Sequence, residues 1–113
     1  MLLKTKEAYA FWLKIYKDIP KTERFGIGKR IEDAFLFILE TIFTASYLPP
    51  EQKIILLSRG ISKLDILKFF LQLLWENRLL SNQNNAQLTE RLGEIGRQLG
   101  GWKKGLQTKT PRP

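Results

Sequence analysis

Ten basic side chains are the residues of this sequence best suited to act on a partner: Lys14, Lys17, Lys21, Arg24, Lys29 and Arg30 early in the chain, and Arg91, Arg97, Lys103 and Lys104 late in it. Ammonium and guanidinium groups neutralise phosphates and release condensed counterions, which gives affinity for nucleic acid without base specificity. The first thirty residues hold eight Lys or Arg against Glu7, Asp18 and Glu23, a net +5, and residues 91–113 hold six against Glu94 alone, again +5. Residues 31–90 come to −2, so the total of +8 sits at the two ends of the chain. A solvated position is the ordinary fate of any one surface charge. As a segregated set the ten point to a polyanionic partner.

Other chemistries are poorly served. The chain has no His and no Cys, which removes the usual general base, the commonest metal ligand, disulfides and thiolate metal sites. Glu32, Asp33, Glu40, Asp65 and Glu76 could be imagined as a metal site inside a bundle, but such sites use Glu-x-x-His pairs. A glycosidase-like carboxylate pair needs a cleft that a small bundle rarely has. The expectation is a protein that is not an enzyme and has no cofactor. Tyr9, Trp12, Tyr16 and Trp102 could stack on unpaired bases, yet they lie on or beside apolar seams, which favours core packing.

Positioning these charges requires helices. Leu3 to Ile19 carries a stripe of Ala8, Tyr9, Trp12, Ile15, Tyr16 and Ile19 at helical spacing and stops at Pro20. A second helix is expected from an N-cap at Thr22 to about Tyr47, a third from Pro50 or Glu51 to about Leu80, and a fourth to about Lys104. Pro49-Pro50 and the polar run Ser81–Asn85 separate them, and Gln107–Pro113 is expected to be a disordered basic tail. Four helices with short connections and no strand pattern predict an all-α fold, an antiparallel up-down four-helix bundle over residues 1–106. Lys4, Lys6 and Glu7 interrupt any secretory apolar segment, and no uninterrupted run of roughly 18 apolar residues could span a bilayer. A soluble, cytoplasmic protein without a membrane partner is therefore expected.

The middle helices carry more apolar surface than one bundle core needs. Ile27, Ile31, Ala34, Ile38 and Ile42 form one seam of the second helix, with Phe35, Leu36, Leu39 and Phe43 extending onto another face. In the third, Ile54, Leu57, Ile61, Leu64, Leu67, Leu71 and Leu74 form one seam and Ile55, Ile66, Phe69, Leu73 and Leu80 a second. Two seams predict one for the subunit's own core and one for a neighbouring subunit. Phe35, Leu39, Phe43, Ile66, Phe69, Leu73 and Gly96 are the expected interface residues. A last seam, Leu88, Leu92, Ile95, Leu99, Trp102 and Leu106, is threaded with Gly93, Gly96, Gly100 and Gly101. Tight helix packing at Gly93 and Gly96, with Gly100 or Gly101 near a helix end, accounts for them better than a phosphate loop.

The stretch RFGIGKRIEDAFLFILE (Arg24 to Glu40), opened by PKTERF (Pro20 to Phe25) and followed by RLGEIGRQLGGWKKG (Arg91 to Gly105), resembles the accessory variability determinant (Avd) proteins of diversity-generating retroelements. The resemblance covers about Tyr9 to Lys104. It implies a four-helix bundle assembling as a ring-like homopentamer with a basic surface. It also implies association with the element's reverse transcriptase and with RNA or DNA during mutagenic retrohoming. One departure is Gly26-Ile27-Gly28 early in a helix, which is expected to loosen its first turns. The alternative is the related four-helix-bundle group encoded in intervening sequences of bacterial 23S ribosomal RNA genes, with an RNA-binding or structural role.

Overall fold

Every element of the computed structural model, which describes residues 1–109, is helical, and no strand occurs among the described residues. We number the four long helices α1 (Leu2–Tyr16), α2 (Lys29–Ala45), α3 (Pro50–Glu76) and α4 (Asn82–Lys109). At 1.5 Å per residue α4 is about 42 Å long, most of the molecule's 51 Å length. Each helix packs against two others. Tyr9 and Tyr16 of α1 meet Phe35 of α2 and Gly28 just before it. Arg30, Phe37 and Thr41 of α2 meet Phe70, Lys63 and Gly60 of α3. Lys53, Leu64 and Trp75 of α3 meet Trp102, Gly96 and Asn82 of α4. Lys4 and Phe11 of α1 meet Glu94 and Arg91 of α4. In each pair residue numbers rise along one helix as they fall along the other.

The core follows the first seams. Ile31, Ala34, Ile38 and Ile42 of α2, Leu57, Leu64, Leu67, Leu71 and Leu74 of α3, and Leu88, Leu92, Ile95 and Leu99 of α4 are all buried. α1 closes the fourth side with Ala8, Trp12 and Ile15. Trp12 is 0 % exposed and its ring lies 6.3 Å from that of Phe35 in a near-parallel stack. Phe35 is itself fully buried, so the expectation that it lies at a subunit interface is corrected. It points into the space that Trp12 and Tyr9 line, because α1 packs on that side of α2.

Helix boundaries depart from expectation where backbone chemistry intervenes. α1 ends at Tyr16 rather than Ile19: the amides of Asp18 and Ile19 bond the carbonyls of Ile15 and Tyr16, a tight turn that still buries Ile19. Pro20, not Thr22, occupies the next N-cap position, and the Thr22 hydroxyl bonds Glu23 instead. The expected single second helix is an α-turn (Lys21–Glu23), a π-helical turn (Arg24–Gly28) and then α2. Gly26 interrupts it with φ −95° and ψ −106°, non-helical angles that a side chain disfavours. The loosening expected from the glycine pair thus takes the form of a wide turn.

α3 stops at Glu76, and Arg78 turns the chain with φ 62° while the Leu79 amide bonds the Leu74 carbonyl at 2.8 Å. Leu80 consequently falls outside the helix and is buried, so it does not belong to a second seam. Ser81 caps α4 by accepting the Asn84 amide at 3.1 Å. α4 continues to Lys109, past the expected end near Lys104, so Gln107 to Lys109 are helical rather than a disordered tail. The remainder of that expected tail, 110–113, lies outside the described residues.

The glycine positions are redistributed as well. A Cβ on Gly96 would sit 3.3 Å from Leu64 Cδ2 and 3.4 Å from Lys68 Nζ, both on α3 of the same chain. Gly96 therefore serves a helix crossing within the subunit. Gly60, which sequence spacing did not single out, is buried, and its Cβ would meet Thr41 Cγ2 at 3.1 Å. Gly93 has only the Arg97 side chain nearby, and Gly100 and Gly101 sit mid-helix in open space. In urea unfolding, Gly60→Leu should cost about 1–3 kcal/mol through overpacking. Arg78→Gly should stabilise by about 1 kcal/mol by relieving a left-handed residue, and Arg78→Val should destabilise.

Candidate nucleic-acid interface and outward apolar face

The turn between α1 and α2 gathers the early basic residues at one end of the molecule. Lys14, Lys17, Lys21, Lys29 and Arg30 are exposed there. Arg24 differs from the rest. Its Nε and Nη2 donate at 2.7 Å to the carbonyls of Ile19 and Lys17, and its guanidinium lies 5.5 Å from the Tyr16 ring centroid. Those carbonyls lie at and just past the end of α1, where helix carbonyls lose their intrahelical donors. Arg24 thus fastens the turn to α1, with fewer donors left for a phosphate. Lys29 sits 3.5 Å from Asp33 with both side chains more than half exposed, a pair that solvent screens heavily. Arg30 covers the Phe70 ring at 5.9 Å and keeps its head at the surface.

The late basic residues do not form one site with these. Lys103 is half-buried and Lys104 exposed toward the opposite end of the molecule, where Lys53, missed from sequence, stacks over Trp102 at 5.9 Å. Arg97 is exposed along α4. Arg91 lies 5.1 Å over the Phe11 ring, beside an open cleft of about 320 Å³ lined by Lys4, Glu7, Gln87, Glu90, Arg91 and Glu94. Three carboxylates against two cations make that cleft a poor phosphate site. Lys4 in that cleft is engaged by Glu94. The hydrogen bond from Lys4 holds the Glu94 carboxyl below its ordinary value, with Lys4, Arg97 and Arg91 adding attraction. A depressed carboxyl stabilises the fold above the ordinary glutamate range and loses that contribution as pH falls through its folded-state value. The exposure of both partners keeps the effect small.

The structure resolves the second seams into an outward face on α3. Ile55, Ile66 and Phe69 are exposed, with Phe69 at 56 %, and Leu73 is half-buried beside them. Positions 55, 62 (Ser62), 66, 69 and 73 fall on the side of α3 opposite Leu57, Leu64, Leu67 and Leu71, facing away from the subunit's core. On α2, Leu36 and Phe43 are exposed and Leu39 is half-buried. Phe43 and Tyr47 contact only each other's rings edge-on among the ring pairs described. The stacking candidates from sequence are used differently: Trp12 is buried, Tyr9 donates to Glu32 at 3.2 Å, Tyr16 carries Arg24, and Trp102 carries Lys53. Burial and the Glu32 carboxylate push the Tyr9 hydroxyl above its ordinary value. Sequence reasoning missed Phe25, which stands 84 % exposed on the π-helical turn. Its place in the RFGIG motif was visible; its exposure was not.

The pattern of the family described as bAvd-like matches residues 2–106. No significant match was found among curated proteins. None of the helices is long and apolar enough to cross a membrane among the described residues.

Arg24 and Lys21 should separate in thermal or urea unfolding. Arg24→Ala should destabilise by about 1–3 kcal/mol through loss of its charged hydrogen bonds. Lys21→Ala should stay within about 0.5 kcal/mol of the parent.

Proposed function

The chain belongs to the bAvd-like family, and from that premise we propose that it is a non-enzymatic accessory subunit of a diversity-generating retroelement. It binds the element's reverse transcriptase and nucleic acid through basic surfaces, as an antiparallel bundle assembled into a ring-like homo-oligomer, a pentamer by resemblance to Avd proteins. The observation that carries this reading is the family match over nearly the whole chain. It favours the retroelement role over the ribosomal intervening-sequence alternative.

Three features of the subunit support it. Opposed residue order in all four helix contacts is the contact pattern of an antiparallel up-down bundle. The outward apolar face of α3 is surplus to the subunit's own core. Large apolar side chains moved from water to an interface contribute roughly 1.5–3 kcal/mol each before association costs. The exposed Lys14, Lys17, Lys21, Lys29 and Arg30 supply a surface for phosphates, and no His or Cys is present for nucleophilic or metal chemistry. The reverse transcriptase is the partner expected to meet the assembled protein rather than the separate subunit.

Light scattering on a sizing column should give a mass several times 13.2 kDa. Phe69→Asp should lower it while leaving the helical content and unfolding transition of the subunit intact, because Phe69 is not a core residue. A clean monomer for the parent protein at micromolar concentration would defeat the assembly. Binding to RNA or DNA should weaken steeply between about 50 and 200 mM salt. Replacing Lys17, Lys21, Lys29 and Arg30 together by Ala should weaken binding and flatten the salt slope, with the assembly unchanged. Pull-down with the neighbouring reverse transcriptase should succeed for the assembled protein and fail for Phe69→Asp. Salt-independent binding, or full retrohoming without the protein, would contradict the proposal.

A further inference from the structure

Phe25 has no role in the packing of its own subunit. It is 84 % exposed, the most exposed large apolar side chain described. An apolar ring left in water forfeits the burial that would otherwise stabilise the fold, so its position needs a reason outside the core. The turn that carries it is nevertheless fastened on both sides. Arg24, immediately before it, is held by two hydrogen bonds to the Lys17 and Ile19 carbonyls just past α1 and by the Tyr16 ring. Gly28, just after it, is buried, where a Cβ would lie 3.2 Å from the Glu23 carbonyl oxygen and 3.3 Å from Tyr16. The π-helical turn between these anchors takes one residue more than an α-turn, and such turns recur at functional sites. The ring is presented by a fixed backbone rather than by a loose loop.

The surroundings decide between occupants. Residues 17–30 hold Lys17, Lys21, Arg24, Lys29 and Arg30 against Asp18 and Glu23. An apolar protein surface closing over Phe25 would desolvate several of these cations without partners, which is costly. A polyanion that also carries flat π-faces satisfies both the ring and the charges. Duplexes keep their base faces stacked inside, whereas a single strand offers them. We propose that Phe25 is a stacking platform for an unpaired base, and that the basic turn therefore selects single-stranded over double-stranded nucleic acid. This rests on the nucleic-acid reading above and adds the class of strand and the residue that selects it.

The test compares a fluorescein-labelled oligo-dT and oligo-rU with a duplex of equal length, bound by the full-length protein at fixed salt. Phe25→Ala and Phe25→Leu should each weaken single-strand binding about 5- to 150-fold, the range expected for one stacked base. Phe25→Tyr and Phe25→Trp should retain it. Duplex binding and the salt slope should be unchanged in all four, since no charge is removed. Circular dichroism and light scattering should report the parent fold and mass. Single-strand binding by Phe25→Leu equal to the parent's would overturn the platform, as would an equal loss on duplex. A reduced mass for Phe25→Ala would assign the ring to a subunit contact instead and overturn it too. If the parent binds no nucleic acid, the functional proposal falls along with this one; if the parent binds and Phe25→Ala binds equally well, this one alone falls.

Discussion

A four-helix core has room for one apolar face from each helix, and α3 brings two. Leu57, Leu64, Leu67, Leu71 and Leu74 fill its inward side, while Ile55, Ile66 and Phe69 stand on the opposite one. Water tolerates scattered apolar side chains on any protein, but Ile66, Phe69 and Leu73 follow one another at three- and four-residue spacing and form an apolar patch, with Ile55 beyond Ser62 and Arg59. The arrangement of the other three helices follows from which α3 face they cover. α2 and α4 flank the inward side, and α1 closes the core across from α3 through Trp12. Trp12 of α1 and Phe35 of α2 stack between their helices, where smaller residues would leave a void.

Electrostatics divides by how much each cation is needed locally. Arg24 caps the end of α1 and covers Tyr16, Arg91 covers Phe11, and Lys4 holds Glu94. These contacts draw on the planar guanidinium or a long alkyl stem as much as on charge. Lys14, Lys17, Lys21 and Lys29 have no comparable duty in the core and remain at the surface of one end. The same turn thus carries one cation that builds it and several that face outward. The exposed ring of Phe25 stands among them.

Much of this was legible in the sequence. The period of the apolar residues, the Pro20 and Pro49-Pro50 stops and the Ser81 cap place four helices almost where they are, since each is a local effect of backbone and side-chain geometry. The surplus seam of α3 was legible too, because a helical wheel needs only residue order. So was the family, read from Arg24–Glu40 and Arg91–Gly105 and matched over residues 2–106.

Tertiary structure decided what periodicity leaves degenerate. Phe35 sits on the flank of the α2 seam, within reach of either a neighbouring subunit or α1, and only the position of α1 assigned it to the core. Gly60 and Gly96 look alike in sequence to Gly100 and Gly101; what separates them is whether another helix crosses there, a long-range fact. Leu80 matched a helical seam until the left-handed Arg78 ended the helix and turned it inward. Phe25 stands exposed on the π-helical turn between α1 and α2, a departure from helical geometry that the apolar period does not announce. Local composition sets where helices start, stop and turn apolar; which of two apolar sides is covered depends on the direction from which the rest of the chain returns.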